Sequence, residues 1–249
     1  MRVFVILPAA GMGTRMAAVS GTPVPKQFLS IGNVPVLVHC LRAFLAVPRV
    51  EAIYVAVQTR EIERLREQLS EFQLGARVRV VEGGDVRQQS VSNALQQLAA
   101  ETRPAEDDVV LVHDAARPLI DPATIDRTID AIASHGAAIV GLPAVDTIKQ
   151  VDRTAQGAII TATIPRERIV LAQTPQGARF GLLQRAFADA EADGFTGTDE
   201  ASLLERAGIE VTVVPGSARN FKVTQPGDLE LAEFYLKTAP ADRSSEVKA

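Results

Sequence analysis

Short apolar runs and helical stripes take turns along the chain. Residues 3–7, 52–57, 77–81, 109–113 and 138–142 are rich in Val, Ile and Leu and read as strands, mostly apolar as expected where both faces are covered. Between them the period changes to 3.6: Leu37, Cys40, Leu41, Phe44 and Leu45 make one stripe, and Ile62, Leu65 and Leu69 make another. Asp121-Pro122 has the form of an N-cap followed by Pro at the first helical position, opening a helix to about residue 134. Strands separated by helices imply right-handed βαβ units. The predicted fold is α/β: a single doubly wound, mostly parallel (Rossmann-like) sheet with helices on both faces.

The alternation breaks between about residues 143 and 175. Residues 147–151 and 158–164 read as two strands around a polar turn at 152–157, a β-hairpin arm occupying about 144–175. A two-stranded hairpin is marginal in water, so Ile159, Ile160, Ile164 and Ile169 need cover. The pattern leaves two ways open: the arm folds back on its own domain, or it reaches a second copy of the chain. The helical pattern returns with Leu182, Leu183, Ala186 and Phe187, residues 211–214 read as a further strand, and 226–236 as a last helix. One domain over 1–237 and a polar, flexible tail over 238–249 are expected.

Composition narrows the class. A chain of 249 residues is one large domain or two small ones, and it buries about 70–75% of its extended surface. A single cysteine excludes an intramolecular disulfide framework, and with three scattered histidines it argues against structural zinc. The net charge of −4 argues against a general binder of nucleic acid or anionic membrane, while leaving room for a local basic site. Met1-Arg2 with the apolar run after it faintly imitates a signal peptide, but the run is short, weakly charged and closed by Pro8. No stretch approaches ~18 uninterrupted apolar residues. A soluble cytoplasmic protein is expected.

Three segments carry candidate chemistry, and each follows a predicted strand. Ala9-Ala10-Gly11-Met12-Gly13-Thr14-Arg15-Met16 follows the first; its glycines let backbone N–H groups approach a phosphate. It is neither a dinucleotide fingerprint, since Met16 stands at the sixth position, nor a Walker A loop. A plain strand-to-helix turn would also use these glycines, but Arg15 and Lys26 of Pro25-Lys26-Gln27 flank it with two cations, which suits phosphate. Gly83-Gly84-Asp85-Val86-Arg87-Gln88-Gln89-Ser90 follows the third strand and reads as a turn opening a helix. Gly84, Asp85 and Ser90 are candidates for reading a base edge. His113-Asp114-Ala115-Ala116-Arg117-Pro118 ends the fourth strand, at the edge where open α/β sheets bind ligands. Asp114 could ligate Mg²⁺, accept from a hydroxyl, or simply pair with Arg117. His113 reads as a packed strand residue and Cys40 as core.

Taken together these strings resemble the 2-C-methyl-D-erythritol 4-phosphate cytidylyltransferase family. Asp146-Thr147 with Lys149, Gln173-Thr174-Pro175-Gln176, Thr198-Asp199-Glu200-Ala201-Ser202 and Lys222-Val223-Thr224 agree with it, so the likeness spans nearly the whole chain. One departure is that residues 17–25 are several residues longer than the family's usual spacing, which bears on how that loop closes. The resemblance implies CMP transfer from CTP to 2-C-methyl-D-erythritol 4-phosphate, with pyrophosphate released, in non-mevalonate isoprenoid biosynthesis. It implies Arg15 and Lys26 on the attacked α-phosphate, and Arg166 and Lys222 on the acceptor phosphate. It further implies Ala10, Gly11, Gly13, Gly84, Asp85 and Ser90 around CTP, and Asp114, Arg117, Thr147 and Thr198 around the acceptor. Mg²⁺ is the implied cofactor, bound through the CTP phosphates or by Asp114. A homodimer with exchanged β-arms is implied too, with Thr147 and Arg166 serving the neighbour's site. A cytidylyltransferase for another alditol phosphate, such as ribitol 5-phosphate, shares much of the pattern. A non-catalytic nucleotide-binding module would be expected to lack some of the four cations, all of which are present.

Overall fold

The computed structural model describes residues 1–11 and 25–238, with Lys26 described by its backbone alone. The expectations placed on Gly13, Arg15 and the long spacing up to residue 24 lie outside these residues, as does the tail from 239.

Seven of the described strands form one sheet. They are β1 (Val3–Pro8), β4 (Val50–Val57), β5 (Val78–Glu82), β6 (Val109–Val112), β7 (Ala137–Pro143), β10 (Val170–Arg179) and β11 (Thr212–Pro215), in the order β11-β7-β10-β6-β1-β4-β5. β1 pairs in parallel with β4 and β6, β4 with β5, and β7 with β11. The stretch that imitates a signal peptide is thus a central strand. Its alternate side chains explain why the run is apolar throughout: Val3, Val5 and Leu7 face one core, Phe4 and Ile6 the other. The helices Val36–Leu45, Ile62–Glu71 and Pro122–His135 cover the first face. Arg87–Thr102 and Phe180–Ala192 cover the second. The predicted N-cap holds: Asp121 Oδ1 accepts from the Thr124 amide at 2.8 Å.

Most predicted strands lie within one or two residues of those observed; the strand Ile148–Thr154 runs three residues past the expected end at 151, and β10 was not predicted. It runs antiparallel between β6 and β7 in the middle of the sheet. Its sequence hides this, because Gln173-Thr174-Pro175-Gln176-Gly177 is polar and carries both a proline and a glycine. The ladder to β7 is interrupted between Ala172 and Gln176, so Pro175 owes it no N–H. Gly177 is required by proximity: a Cβ there would collide with the Val110 carbonyl oxygen of β6.

The hairpin arm is β8 (Ile148–Thr154) and β9 (Gly157–Ile164), a separate antiparallel pair whose turn, Ala155-Gln156, is tighter than the pattern suggested. It does not fold back. Ile159 and Ile160 are 62% and 60% exposed, and Val151, Val170 and Leu171 are exposed with them. A small hairpin of β2 (Ser30–Ile31) and β3 (Val34–Pro35), turning through Gly32 at φ +62°, was not legible in the apolar pattern. No described helix is long and apolar enough to cross a membrane.

The packing of Gly177 gives a direct test. Gly177→Ala is expected to destabilise by about 2 kcal/mol or more, the scale of overpacking at a rigid backbone contact. Gly75→Ala, where a Cβ meets open space, is expected to stay within about 0.5 kcal/mol. Urea midpoints of the two variants check this.

Candidate active site

Parallel strands end on one edge of the sheet, and there the three predicted segments meet. The cleft, about 200 Å³, is lined by Pro8 at the end of β1 and Ala9–Gly11 after it, Gly84–Arg87 and Ser90 after β5, Asp114–Ala116 after β6, and by Gln27 and Lys222. The first two segments touch. The Gly83 amide donates to the Val57 carbonyl at 2.7 Å, and a Cβ on Gly83 would lie 2.6 Å from Ala10 Cβ. Ala10 is held from the other side, its carbonyl accepting from Gln58 Nε2 at 2.9 Å.

Gln27 had no role in the sequence reading, and the structure supplies one. It is buried, and its side-chain amide donates to the carbonyl oxygens of Ala9 and Gly11. One side chain therefore pins the Pro25-Lys26-Gln27 segment to the loop after β1. Lys26, in the short 3-10 helix Lys26–Phe28, is adjacent in sequence to a residue of the cleft wall.

Ser90 lines the cleft from beneath the glycine turn. It is 2% exposed, and its hydroxyl accepts from the Gly84 amide at 3.0 Å and reaches the Val86 carbonyl at 3.1 Å. It shapes the glycine turn from beneath, so that the Gly84–Asp85 backbone forms the cleft wall. The Asp85 amide donates to Gln89 Oε1 at 3.0 Å, and its side chain is exposed.

Asp114 is the electrostatic centre of the cleft. Its Oδ1 is 3.2 Å from Arg87 Nε; its Oδ2 is 2.9 Å from Lys222 Nζ and 3.4 Å from Arg117 Nε. Burial raises the carboxyl pKa, but Arg87, Lys222 and Arg117 outweigh it and hold the group well below the usual carboxylate range. Both oxygens are thus taken by cations, and Asp114 as it stands does not fit a Mg²⁺ ligand. Among the described residues no group of three His, Cys, Asp or Glu could hold a metal ion.

Arg117 sits behind Asp114, its Nη1 donating to the Asn220 carbonyl at 2.8 Å. The Val223 amide donates to the Ala116 carbonyl at 2.8 Å, and this docks the Lys222 loop on the end of β6. Thr147 and Arg166 are on the arm, both exposed and outside the cleft; Arg166 Nη1 donates to the Val145 carbonyl at 2.6 Å. Thr198 is exposed beside Asp199 and likewise lines no part of the cleft.

Two charged residues quoted in the sequence motifs, but given no role there, belong to the same cluster. Arg87 turns its two terminal nitrogens on Glu200, at 2.7 and 2.8 Å. Glu200 is 1% exposed. Burial disfavours the charged guanidinium, but Glu200 and Asp114 prevail and raise its pKa further.

His113, read as a packed residue, is buried in edge contact with Phe44 at 5.0 Å. Its tautomer follows from its partners. Nε2 is 3.1 Å from the Arg117 carbonyl, which can only accept, so Nε2 carries the proton. Nδ1 then accepts from the Thr174 hydroxyl at 3.0 Å, and that hydroxyl accepts from the Asp114 amide at 3.0 Å. Burial pushes the His113 pKa down to about 4, so the ring is neutral and serves as a strut beneath Asp114. Cys40 is buried, as expected of a core residue.

Residues 3–238 match the family described as 2-C-methyl-D-erythritol 4-phosphate cytidylyltransferase. A protein of that name from Acidobacterium capsulatum is 69% identical over 238 residues, covering 95% of this chain and 98% of its own. One from Solibacter usitatus is 50% identical over 245 residues, covering 97% and 98%. Among solved structures, the Francisella tularensis enzyme of the same name superposes with a TM-score of 0.77 at 34% identity, covering 94% of this chain and 99% of its own. The Thermus thermophilus enzyme gives 0.72 at 32%, covering 95% and 100%.

The neutral His113 makes stability depend on pH with a definite sign. Its folded pKa, about 4, lies below the ordinary 6.5, so the unfolded chain binds the extra proton first. Stability is complete above pH 6.5 and falls by roughly 3 kcal/mol by pH 4, at about 1.4 kcal/mol per pH unit. Asp114 adds a further loss only below about pH 4, where the unfolded carboxylate takes its proton. Urea midpoints between pH 7 and 4 should show this decline, and His113→Gln should flatten it; an equally steep variant would remove the histidine as its source.

Proposed function

From the premise that the chain belongs to the 2-C-methyl-D-erythritol 4-phosphate cytidylyltransferase family, we propose how its cleft carries out that family's reaction. The enzyme is a nucleotidyltransferase that moves CMP from CTP to 2-C-methyl-D-erythritol 4-phosphate, a step of isoprenoid biosynthesis. An oxygen of the acceptor's phosphate monoester attacks the α-phosphorus of CTP. The bond from that phosphorus to the bridging oxygen breaks, and pyrophosphate leaves with the electron pair. The monoester is already a nucleophile at neutral pH, so no side chain has to be deprotonated. Catalysis then consists of bringing two polyanions together and stabilising charge on the phosphorus.

The observation that carries this reading is the meeting, in one cleft, of a glycine-shaped backbone wall and the cations around Asp114. Ala10, Gly11, Gly13, Gly84 and Asp85 would hold the nucleotide, with Ser90 bracing the turn beneath it. Arg15 and Lys26 would act on the α-phosphate; the pinning of Pro25-Lys26-Gln27 by Gln27 supports a lysine in reach of the cleft. Lys222, with Asp114 and Arg117, would receive the acceptor.

Thr147 and Arg166 lie on the arm outside this cleft, which favours their serving a neighbour's site in a homodimer with exchanged arms. The uncovered Ile159, Ile160 and Leu171 support the same exchange. Thr198 would close the acceptor side. We place Mg²⁺ on the nucleotide's own phosphate oxygens rather than on a protein carboxylate, and the protein in the cytoplasm. The domain spans 1–237 with its arm at about 144–175, and 238–249 is a tail.

Pyrophosphate release from CTP should be followed with the methylerythritol phosphate and, separately, with ribitol 5-phosphate, each with and without Mg²⁺. Turnover with the first acceptor is expected to exceed that with the second by orders of magnitude; preference for ribitol 5-phosphate would overturn the acceptor assignment. Arg15→Ala and Lys26→Ala should each raise the barrier by roughly 3–4 kcal/mol, on the order of 10²–10³ in turnover. A loss under about threefold in folded protein would remove either residue from the phosphate. Lys222→Ala should weaken binding of the acceptor more than of CTP, as read by calorimetry.

A further inference from the structure

Asp114 has two oxygens and three cationic neighbours, so how those neighbours are shared matters. A guanidinium facing a lone carboxylate favours the two-pronged arrangement, with parallel N–H bonds to both oxygens. Arg87 does not treat Asp114 this way. It spends its fork on Glu200, at 2.7 and 2.8 Å, and offers Asp114 only Nε, at 3.2 Å on Oδ1. Oδ2 is left to Lys222 at 2.9 Å and Arg117 at 3.4 Å. We propose that Arg87 and Glu200 form a positioning pair that rations the cations on Asp114. By occupying the Arg87 fork, Glu200 keeps Asp114 Oδ2 for Lys222 and so holds that lysine at the acceptor side of the cleft.

The placement of the pair fits this role. Arg87 is the first residue of the helix that follows the nucleotide-side turn, and Glu200 is the first residue of the helix Glu200–Arg206. Asp114 follows β6, on the acceptor side. One guanidinium therefore ties the two sides of the cleft to a third element. Glu200 is almost wholly buried, and buried ion pairs are a poor means of gaining stability. Removing its charge releases the Arg87 fork toward Asp114, where it competes with Lys222 for Oδ2.

The inference rests on the acceptor side being as read above, and its test separates the two. Steady-state kinetics with CTP and the methylerythritol phosphate should be measured for wild type, Glu200→Gln, Glu200→Asp and Arg87→Lys, with thermal melts to establish folding. Glu200→Gln is expected to raise KM for the acceptor about tenfold while KM for CTP stays within twofold. Glu200→Asp, which keeps the charge on a shorter stem, should recover part of the loss. Arg87→Lys, which has no fork to release onto Asp114, should raise KM for the acceptor less than Glu200→Gln does. A crystal structure of Glu200→Gln should show Lys222 Nζ more than 4 Å from Asp114. Unshifted kinetics in folded Glu200→Gln, or equal rises in both KM values, would overturn the proposal, as would failure of all three variants to fold, since the pair would then be structural only. A wild type that releases no pyrophosphate would instead overturn the functional reading itself.

Discussion

A carboxylate placed out of water must be compensated, and Asp114 is compensated from three directions. Two of its partners come from distant parts of the chain, Arg87 opening a helix after β5 and Lys222 in the loop after β11, while Arg117 lies only three residues on. Removing any one would leave a buried charge short of a partner, a costly state in a medium less polar than water. Much of the cleft geometry is tied to this requirement. The turn before Arg87 carries the glycine wall, and the loop carrying Lys222 is docked by the Val223 amide on Ala116. Folding the charges together also assembles the site.

The surroundings keep that carboxylate still without adding charge. Beneath it His113 is neutral, and a chain of hydrogen bonds runs from the Asp114 amide through the Thr174 hydroxyl to the ring and on to the Arg117 carbonyl. A protonated imidazole in this place would set a further cation beside the arginines. Thr174 belongs to β10, the antiparallel strand inserted beside β6. The strand that departs from the parallel pattern thus supplies a support under Asp114. Asn220 ties the same region to the Lys222 loop, donating to the Thr174 carbonyl at 2.8 Å.

The arm follows another logic. β8 and β9 bond to each other and leave Ile159 and Ile160 in solvent, an arrangement that gains little for a single chain. Exposed apolar surface on a projecting hairpin is what a partner surface can cover, and the arm also carries Thr147 and Arg166 away from the cleft of its own chain.

The order of strand and helix, the two-sided burial of β1 and the Asp121 cap were all legible in the chain, because each depends on spacing between neighbours in sequence. So were the three loops at the sheet edge, since a turn after a strand leaves local marks in glycine and charge. The strand Val170–Arg179 was not legible: its centre is polar, and only the gap between β6 and β7 makes it a strand. The same holds for Gln27 pinning Ala9 and Gly11, for Ser90 bracing its turn, and for Glu200 taking the fork of Arg87. Sequence by itself determined the layered α/β architecture and the residue types available for phosphate chemistry. Tertiary structure alone decided which charges share Asp114, because a charge buried far along the chain selects its partners by distance in space, and spacing along a chain carries no record of that distance.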